Sequence, residues 1–539
     1  MPNMPDEEVF SMNNNDVYLH GRVDPGVDSN ISLLETVDTP ETSTRAQRLK
    51  DLESVGIANH QTLHGLITAA SHPDKCFLLS TLPAELIDTI MQLLEPEDLI
   101  SASHTCRALS QHARSDICWQ HHVQKNIPGV KLKSPSPCKT YRELYMAHDP
   151  RWFLTKYKIW FSDYFLLGKI IICRYDPRRG CIEGYRLLAE KEVTAFDPWE
   201  ADDEVLIHSF APRPRLHMDK PVIQFDLPKT DSLRRSSRLR ASAQRSSTEV
   251  PMRIDAERQP HGVFSNFIPA RPWPDNDLEN VDYWPPKAIP ARHRVRIGED
   301  EGFVPLGNRP VKRSEATDQA FRVRRWMEMN NNQGRSVPGV HLGEEIHTYS
   351  TLDPSLYTPT EEKPFRGIWV GDYSGHGCEF LLMNQPDDEE PFDETSVVQA
   401  EDETVDEWEA RKKIERNYRG KLEAIKLTGD PNIPRGQYTF VADDIGSGGF
   451  IRNATEERFK GARVVKSRGH IAARMFRNPK YIESQLIMIS HDRLAQYWVG
   501  FGHISFYQRV DIDQFLSPLN DPPPATLRDG HLVGSFLDH

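Results

Sequence analysis

Near residue 150 the spacing of apolar side chains changes from three and four to two, so helices and strands must share this chain in sequence. Upstream of that point, Leu82, Leu86, Ile87, Ile90, Met91, Leu93 and Leu94 form a helical stripe. A hydroxyl at Ser80, Pro83 in the first turn and Glu85 near the start mark its N-terminus. Glu95-Pro96-Glu97-Asp98 closes this helix and opens a second, whose apolar positions are Leu99, Ala102, Cys106, Leu109 and Ala113. Ser115 is placed to cap a third helix carrying Ile117, Trp119 and Val123. Three short helices with tight joints make one small orthogonal unit. So small a unit cannot bury all these groups by itself, and an exposed stripe implies a partner. A further short helix is expected over Lys139–Ala147.

Downstream the pattern is that of strands. The runs YFLLGKIIICRY and CIEGYRLLAEK flank Asp-Pro-Arg-Arg-Gly at 176–180, a hairpin loop with proline early and glycine last. Further strands are expected over Glu204–Phe210 and Lys220–Leu227, and a strand–turn–strand over Arg366–Met383. Seven more follow at Lys421–Thr428, Gln437–Ala442, Gly461–Lys466, Ile471–Phe476, Tyr481–Ser490, Arg493–Val499 and His503–Val510. Many short strands with Gly or Pro turns predict an antiparallel sandwich or barrel.

Composition limits the rest. Apolar content is 38% with 40 prolines and a mean hydropathy of −0.59, which predicts ordered cores separated by unfolded stretches. The expected disordered parts are residues 1–75, an Arg/Ser-rich insert near 229–250, an acidic insert near 386–412 and the tail 516–539. Twelve acids and no Lys or Arg fall within 387–409, which reads as a solvated spacer or a segment that folds back on the basic loop. A net charge of −13 argues against a general nucleic-acid binder. No apolar run approaches the roughly 18 residues of a membrane span. The N-terminus lacks the apolar core of a signal peptide, so a soluble cytoplasmic or nuclear protein is expected. Seven cysteines without C-x-x-C spacing fit a reducing compartment and no closed metal site. Cys173 and Cys181 flank the hairpin loop and are read either as facing each other across it or as two free thiols.

The segment LPAELIDTIMQLLEPEDLISASHTCRALSQHA resembles the F-box almost position by position. Leu82 and Pro83 match its opening Leu-Pro, and Leu86, Ile90, Leu94 and Leu99 match its apolar anchors. Cys106-Arg107 match the usual Cys-Arg, and Trp119 matches the tryptophan of the last helix. Ala108-Leu109 stand where the family often has an aromatic. The resemblance assigns residues 76–125 to an F-box domain and residues 126–150 to a linker with a short helix. It implies a Skp-type adaptor as partner, bridging to a cullin scaffold. A DNA-binding helix-turn-helix is the rival, but Leu99–Ala113 offers mainly Arg107 and two histidines to base edges.

The strand-rich part, 151–515, resembles the substrate-binding β-barrel of the F-box-only protein 31 family, in a form common in fungi. The match rests on Gly-Ile-Trp-Val-Gly-Asp-Tyr-Ser-Gly-His-Gly at 367–377, Thr-Gly-Asp-Pro-Asn-Ile-Pro-Arg-Gly-Gln at 428–437 and the run from Lys169. The stretch 230–365 departs from the family in length and composition. The resemblance implies recognition of the C-terminal end of a client protein, with ubiquitylation and proteasomal degradation as outcome. Trp369, Tyr373, Gly375, His376, Gly377, Thr428, Gly429, Asp430 and Asn432 are the candidate client-facing rim. Gly377 and Gly429 suit a close backbone approach to a bound carboxylate or amide, or simply turn chemistry between strands.

No catalytic constellation accompanies these motifs. Gly446-Ser447-Gly448-Gly449-Phe450-Ile451 imitates a kinase glycine loop, yet its third glycine is missing and no H-R-D or D-F-G follows. No Walker A, G-x-S-x-G or H-E-x-x-H sequence occurs. The expectation is a non-catalytic receptor of α+β architecture, without cofactor or metal, binding an adaptor and a protein client but neither nucleic acid nor membrane. The alternatives are a barrel that binds a small molecule and an F-box protein used for non-degradative assembly.

Overall fold

Proline and acidic residues set the helix boundaries much as the sequence suggests. The computed structural model describes residues 82–191, 193, 195–227, 249–252, 263–279, 281–297, 309–330, 336–373, 376–388 and 391–520. The expectations for residues 1–75, most of the basic insert, Gly375 and the end of the tail lie outside the described residues. Helix α1 (Ala84–Gln92) has Pro83 as its N-cap residue, and α2 (Pro96–Ser103) has Pro96 at its first position with Glu97 and Asp98 behind it. The expected second helix is in fact two. The Ser103 and Thr105 hydroxyls donate back to the Ile100 and Ala102 carbonyls, and Cys106 is extended, so a new helix, α3 (Arg107–Ala113), begins. Helix α4 (Asp116–Lys125) follows Ser115, then α5 (Tyr141–His148) and α6 (Phe153–Tyr157).

The strands follow in order: β1 (Ile159–Ser162), β2 (Ile170–Asp176), β3 (Cys181–Glu190), β4 (Phe196–Trp199), β5 (Asp202–His208), β6 (Arg213–Leu216) and β7 (Ile223–Phe225). Next come β8 (Val250–Met252), β9 (Val263–Pro269), β10 (Tyr283–Trp284), β11 (Val295–Arg296), β12 (Ala320–Asn330), β13 (Ser336–Thr351) and a helical turn, α7 (Pro354–Tyr357). The last group is β14 (Gly367–Asp372), β15 (Cys378–Asn384), helix α8 (Val405–Asn417), β16 (Leu422–Lys426), β17 (Tyr438–Ala442), β18 (Phe450–Asn453), β19 (Arg463–Ala473), β20 (Arg477–Ser490), β21 (Arg493–Trp498) and β22 (His503–Arg509).

Two sheets carry the fold. The first runs β6-β3-β2-β1-β13-β12-β9-β8, with β7 also on β3. The second runs β14-β15-β16-β17-β19-β20-β21-β22 and returns through a β14–β22 pairing, closing an antiparallel eight-stranded barrel. Strand β5 lies parallel against β22 at His503 and Ile504, outside the barrel circuit.

Alternation assigns each face of the first sheet to a different neighbour. Ile171, Cys173 and Trp160 share a core with Ile87, Leu99, Trp119 and Leu154 of the helices. Ile170, Ile172 and Phe161 share another with Ile368, Val370 and Ile425 on the outside of the barrel. Strand β2 is therefore buried on both sides, which is why Ile170–Cys173 reads as an unbroken apolar run rather than an alternation. Residues 126–150 are not a loose linker, since Ile127, Leu132, Tyr141 and Leu144 belong to the helical core.

Of the two readings of Cys173 and Cys181, that of two free thiols holds. The register places Cys173 opposite Gly184 and Cys181 opposite Asp176, so the two thiols do not face each other. Both are free and buried. The acidic insert is also more ordered than expected. Thr404 and Glu407 form a capping box at the start of α8, and Trp408 donates its indole N–H to the Val397 carbonyl at 2.7 Å. Its acids are counterions of nearby cations: Asp388 to Lys363 at 2.7 Å, Asp387 to Arg366 at 2.7 Å and Glu403 to Arg411 at 2.7 Å. Counting charges within 387–409 hid this pairing, because Arg411 lies just after that window and Lys363 and Arg366 lie well before it in sequence.

Candidate functional site

Two surfaces carry the residues singled out by sequence. The first is on α1. Ile87 and Met91 point into the helical core, and the opposite side of the same helix is left uncovered. Leu86 is 51% exposed, Ile90 42% and Leu93 81%, at spacings of four and three that align them on one face. Pro83, one turn earlier, is also exposed. Leu82 and Leu94 are half-buried at the edge of the core. Leu99 and Trp119 are wholly buried and cannot touch a partner; the Trp119 indole donates to the Ala113 carbonyl at 2.8 Å and ties α4 to α3. Leu93 was missed as a candidate, although its place on the stripe was legible.

The second surface is one end of the barrel, where the loops 373–377 and 427–437, the β19–β20 turn and residues 499–502 all emerge. The sequence brings the two predicted loops together as expected, but through residues it did not name. Lys426, at the end of β16, is 1% exposed; its ammonium donates to the Glu379 carboxyl and, at 2.6 Å, to Asp430 Oδ2. The same ammonium lies 4.2 Å from the centre of the Tyr373 ring, and the Tyr373 hydroxyl meets Thr439 Oγ1 at 2.9 Å. Burial together with the neighbouring Asp430 pushes the Glu379 carboxyl up to about 8, against the pull of Lys426. Asp430 moves the other way: burial raises it, but Lys426 and the backbone N–H of Ile433 outweigh that and hold it below its usual value. Of the two carboxyls, Glu379 is therefore the one that burial holds towards its protonated form, while Asp430 is held towards the carboxylate beside Lys426.

Several candidate residues hold this end rather than face a ligand. Trp369 is wholly buried inside the barrel, with its indole N–H on the Phe365 carbonyl at 3.1 Å. Thr428 Oγ1 accepts from the Phe380 N–H at 2.8 Å, and Asp430 Oδ1 accepts from the N–H groups of Asn432 and Ile433. A Cβ on Gly429 would meet the Arg435 nitrogen at 2.3 Å, so this glycine is required by close packing. Asn432 bonds outward, from its amide to the Ala472 carbonyl at 2.9 Å. Gly377 has φ +87° with open space beside it and closes a tight turn through the bond from the Tyr373 N–H to its own carbonyl. His376 is exposed at that turn. Of the expected rim, His376 and Gly377 face solvent, while Trp369 and Tyr373 are internal.

The barrel interior is filled by its own side chains. Trp369, Leu381, Met383, Phe440 and Leu486 form an apolar floor. Above it, Tyr507 donates to Gln496 at 2.7 Å, Gln496 to Ser484 at 3.1 Å, and Ser484 shares a hydrogen bond with Ser467 at 2.7 Å. These central polar groups are hydrogen-bonded to one another within the protein. Among the described residues no group of three or more His, Cys, Asp or Glu is arranged to hold a metal ion. Nor is any helix among them long and apolar enough to cross a membrane.

Comparison with known proteins meets both surfaces. Residues 79–125 match the family model described as F-box-like, and residues 349–514 match the one described as Cyclin D1 binding domain. The second match covers every strand of the closed barrel. Among curated proteins, the chain is similar to Protein EXECUTER 2, chloroplastic, of Oryza sativa subsp. japonica, 30% identical over 155 residues, which is 28% of this chain and 21% of that protein. The Arabidopsis thaliana protein of the same name is 26% identical over 164 residues, 29% of this chain and 22% of its own. The chain thus spans about a fifth of the length of these relatives. F-box domains bind Skp-type adaptors of cullin complexes, and the F-box-like domain at 79–125 supports a general role in substrate recognition.

Proposed function

We propose that this chain is a non-catalytic substrate receptor of a Skp–cullin–F-box ubiquitin ligase, working in the cytoplasm or nucleus. The observation that carries this reading is the uncovered stripe Pro83, Leu86, Ile90 and Leu93 on a helix whose other side is locked into a core shared with the β domain. An adaptor burying those three large apolar side chains gains roughly 1.5–3 kcal/mol for each. Because the helices and the first sheet share that core, and the first sheet packs on the barrel, the adaptor face and the barrel mouth keep a fixed relation. A receptor contributes to ubiquitin transfer by fixing distance and effective concentration, and such a frame does this.

The barrel is read as the client-binding half, with His376, Gly377 and the 428–437 loop receiving the C-terminal end of a protein marked for degradation. Support comes from the convergence of the two loops on Lys426 and from the match of this region to a domain described by its binding of cyclin D1. The test is affinity purification with the proteasome blocked, using the wild type, a Leu86/Ile90/Leu93→Asp variant and a His376→Ala variant. The stripe variant should lose adaptor and cullin while keeping clients, and the loop variant the reverse. Undiminished adaptor in the first would overturn the docking assignment; unchanged clients in the second would overturn the mouth assignment.

A further inference from the structure

Strands β19 and β20 run on beyond the barrel. The last pairing of β19 with β17 is Gly469 with Phe440, and β21 begins to pair with β20 only at Ser484. The β19–β20 ladder continues to Ile471 with Lys480 and Ala473 with Arg477, so a hairpin of about ten residues projects from the mouth. It leans on the candidate rim, since the Met475 N–H donates to the Pro431 carbonyl at 2.8 Å and Asn432 reaches Ala472.

Its tip is built against ordinary turn chemistry. Met475, Phe476 and Asn478 have φ of +60°, +53° and +49°, in the left-handed region that favours Gly or Asn. A bulky Met-Phe pair there is strained, and strain of this kind persists at positions kept for function. Phe476 has a neighbour, an edge-on contact with His470 at 5.7 Å. Met475 is 58% exposed.

Charge on the hairpin is one-sided. Arg474, Arg477 and Lys480 are exposed, no acid lies between Ile471 and Ile482, and none of the three meets a carboxylate among the described residues. Other arginines of the same domain do: Arg452 with Glu456, Arg458 with Asp197, Arg468 with Asp443 and Arg509 with Asp492. In a chain of net charge −13, three unpaired cations around one exposed methionine form a local basic and apolar patch. Pro479 lacks an N–H and, with Lys480 beside it, blunts this strand edge against pairing with another strand. Recognition here therefore uses side chains.

We infer that the Arg474–Lys480 hairpin is a second client contact, taking an acidic stretch that carries an apolar residue for Met475. The stretch would lie just before the chain end held at the mouth. This placement rests on the client reading of the mouth; the affinity of the hairpin for an acidic peptide does not. The probe is a short fluorescein-labelled peptide alternating Glu and Leu, titrated by fluorescence anisotropy into the full chain purified with its adaptor. Binding should weaken with added salt and fall about tenfold in an Arg474→Glu/Arg477→Glu/Lys480→Glu variant that still retains adaptor. Met475→Gly should raise thermal stability by relieving the backbone, and at the same time weaken the peptide. A loss of binding in His376→Ala with full binding by the triple variant would put the peptide at the mouth alone and overturn the inference. Equal binding by the triple variant would overturn the inference, as would tighter binding of the matching Lys-Leu peptide. So would displacement of the peptide by single-stranded RNA or by a second copy of the chain.

Discussion

Helix α1 and the barrel mouth solve opposite problems with their side chains. On α1, three large apolar groups are left in water although the helix has a well-filled core behind it. At the mouth, Lys426, Glu379 and Asp430 are withdrawn from water and, with the half-buried Tyr373, bond to one another, leaving Glu379 Oε1 without a hydrogen-bond partner. An exposed apolar stripe lowers its free energy by acquiring a partner, so α1 is an unfinished interface. A buried polar cluster of this kind holds loops in place, so the mouth is a support for the proposed client-facing rim. The contrast implies that mutations on α1 change binding without stability, whereas mutations in the mouth cluster change stability first.

The largest effect should come from the stripe. Asp at Leu86, Ile90 and Leu93 together should weaken adaptor binding by more than about a hundredfold while the melting temperature stays within a few degrees. Titration calorimetry beside a thermal melt checks both halves, and a large loss of melting temperature would break the contrast. Next is Trp119→Ala, on the buried side of the same unit, with an expected loss of about 3–5 kcal/mol in denaturant unfolding. Lys426→Met should cost a similar amount, about 3–5 kcal/mol, because it leaves the Asp430 carboxylate buried without its cation. Adaptor affinity should survive Lys426→Met unchanged; if it fell in step with stability, the two regions would not be independent supports.

Much of this architecture was legible because local signals agreed with the final fold. Nearly every strand expected between residues 421 and 510 exists, except that the strands expected at Gly461–Lys466 and Ile471–Phe476 merge into the single long strand β19, which ends at Ala473 before the Arg474–Phe476 turn. Strands β9, β12 and β13 were not anticipated. In AFRVRRWMEMN, Phe321 and Val323 alternate with Arg322 and Arg324, but the pattern breaks at Arg325-Trp326, and even Arg322 is buried, with its guanidinium on the Arg296 carbonyl. The rim was located but not understood. Its loops stand out by glycine and proline, whereas Lys426 and Glu379, which hold them together, look like ordinary charges within strands until the register brings their side chains to one face. The division of the F-box residues into buried and exposed was equally hidden. Leu99 and Leu93 are alike in sequence, and only the packing of α4 across α1 and α2 separates them.

The smallest effect sharpens the contrast through pH. Glu379 would lose its proton near 4.5 in the unfolded chain and keeps it to about 8 in the fold. Between those values the folded state binds more protons than the unfolded state, so this contribution to stability is full below about 4.5 and fades as the pH rises towards 8. Asp430 contributes in the opposite direction, but its folded value lies below the usual carboxylate range, so it is constant throughout this window. His148 and His503, lowered to about 4 by burial, favour the fold increasingly as pH rises through 6.5 and fall silent about one pH unit above it. From about pH 7.5 upward the slope from these groups is therefore that of Glu379 alone. Glu379→Gln keeps the shape and the neutral state, so chemical denaturation should show a falling unfolding free energy in the wild type and a flatter line in the variant. Adaptor affinity over the same range should be level in both proteins, because no group on the α1 stripe titrates there. A parallel slope in Glu379→Gln would mean that the proton at the mouth is held elsewhere, and that the cluster is an ordinary ion-paired triad rather than a neutral acid beside an ion pair.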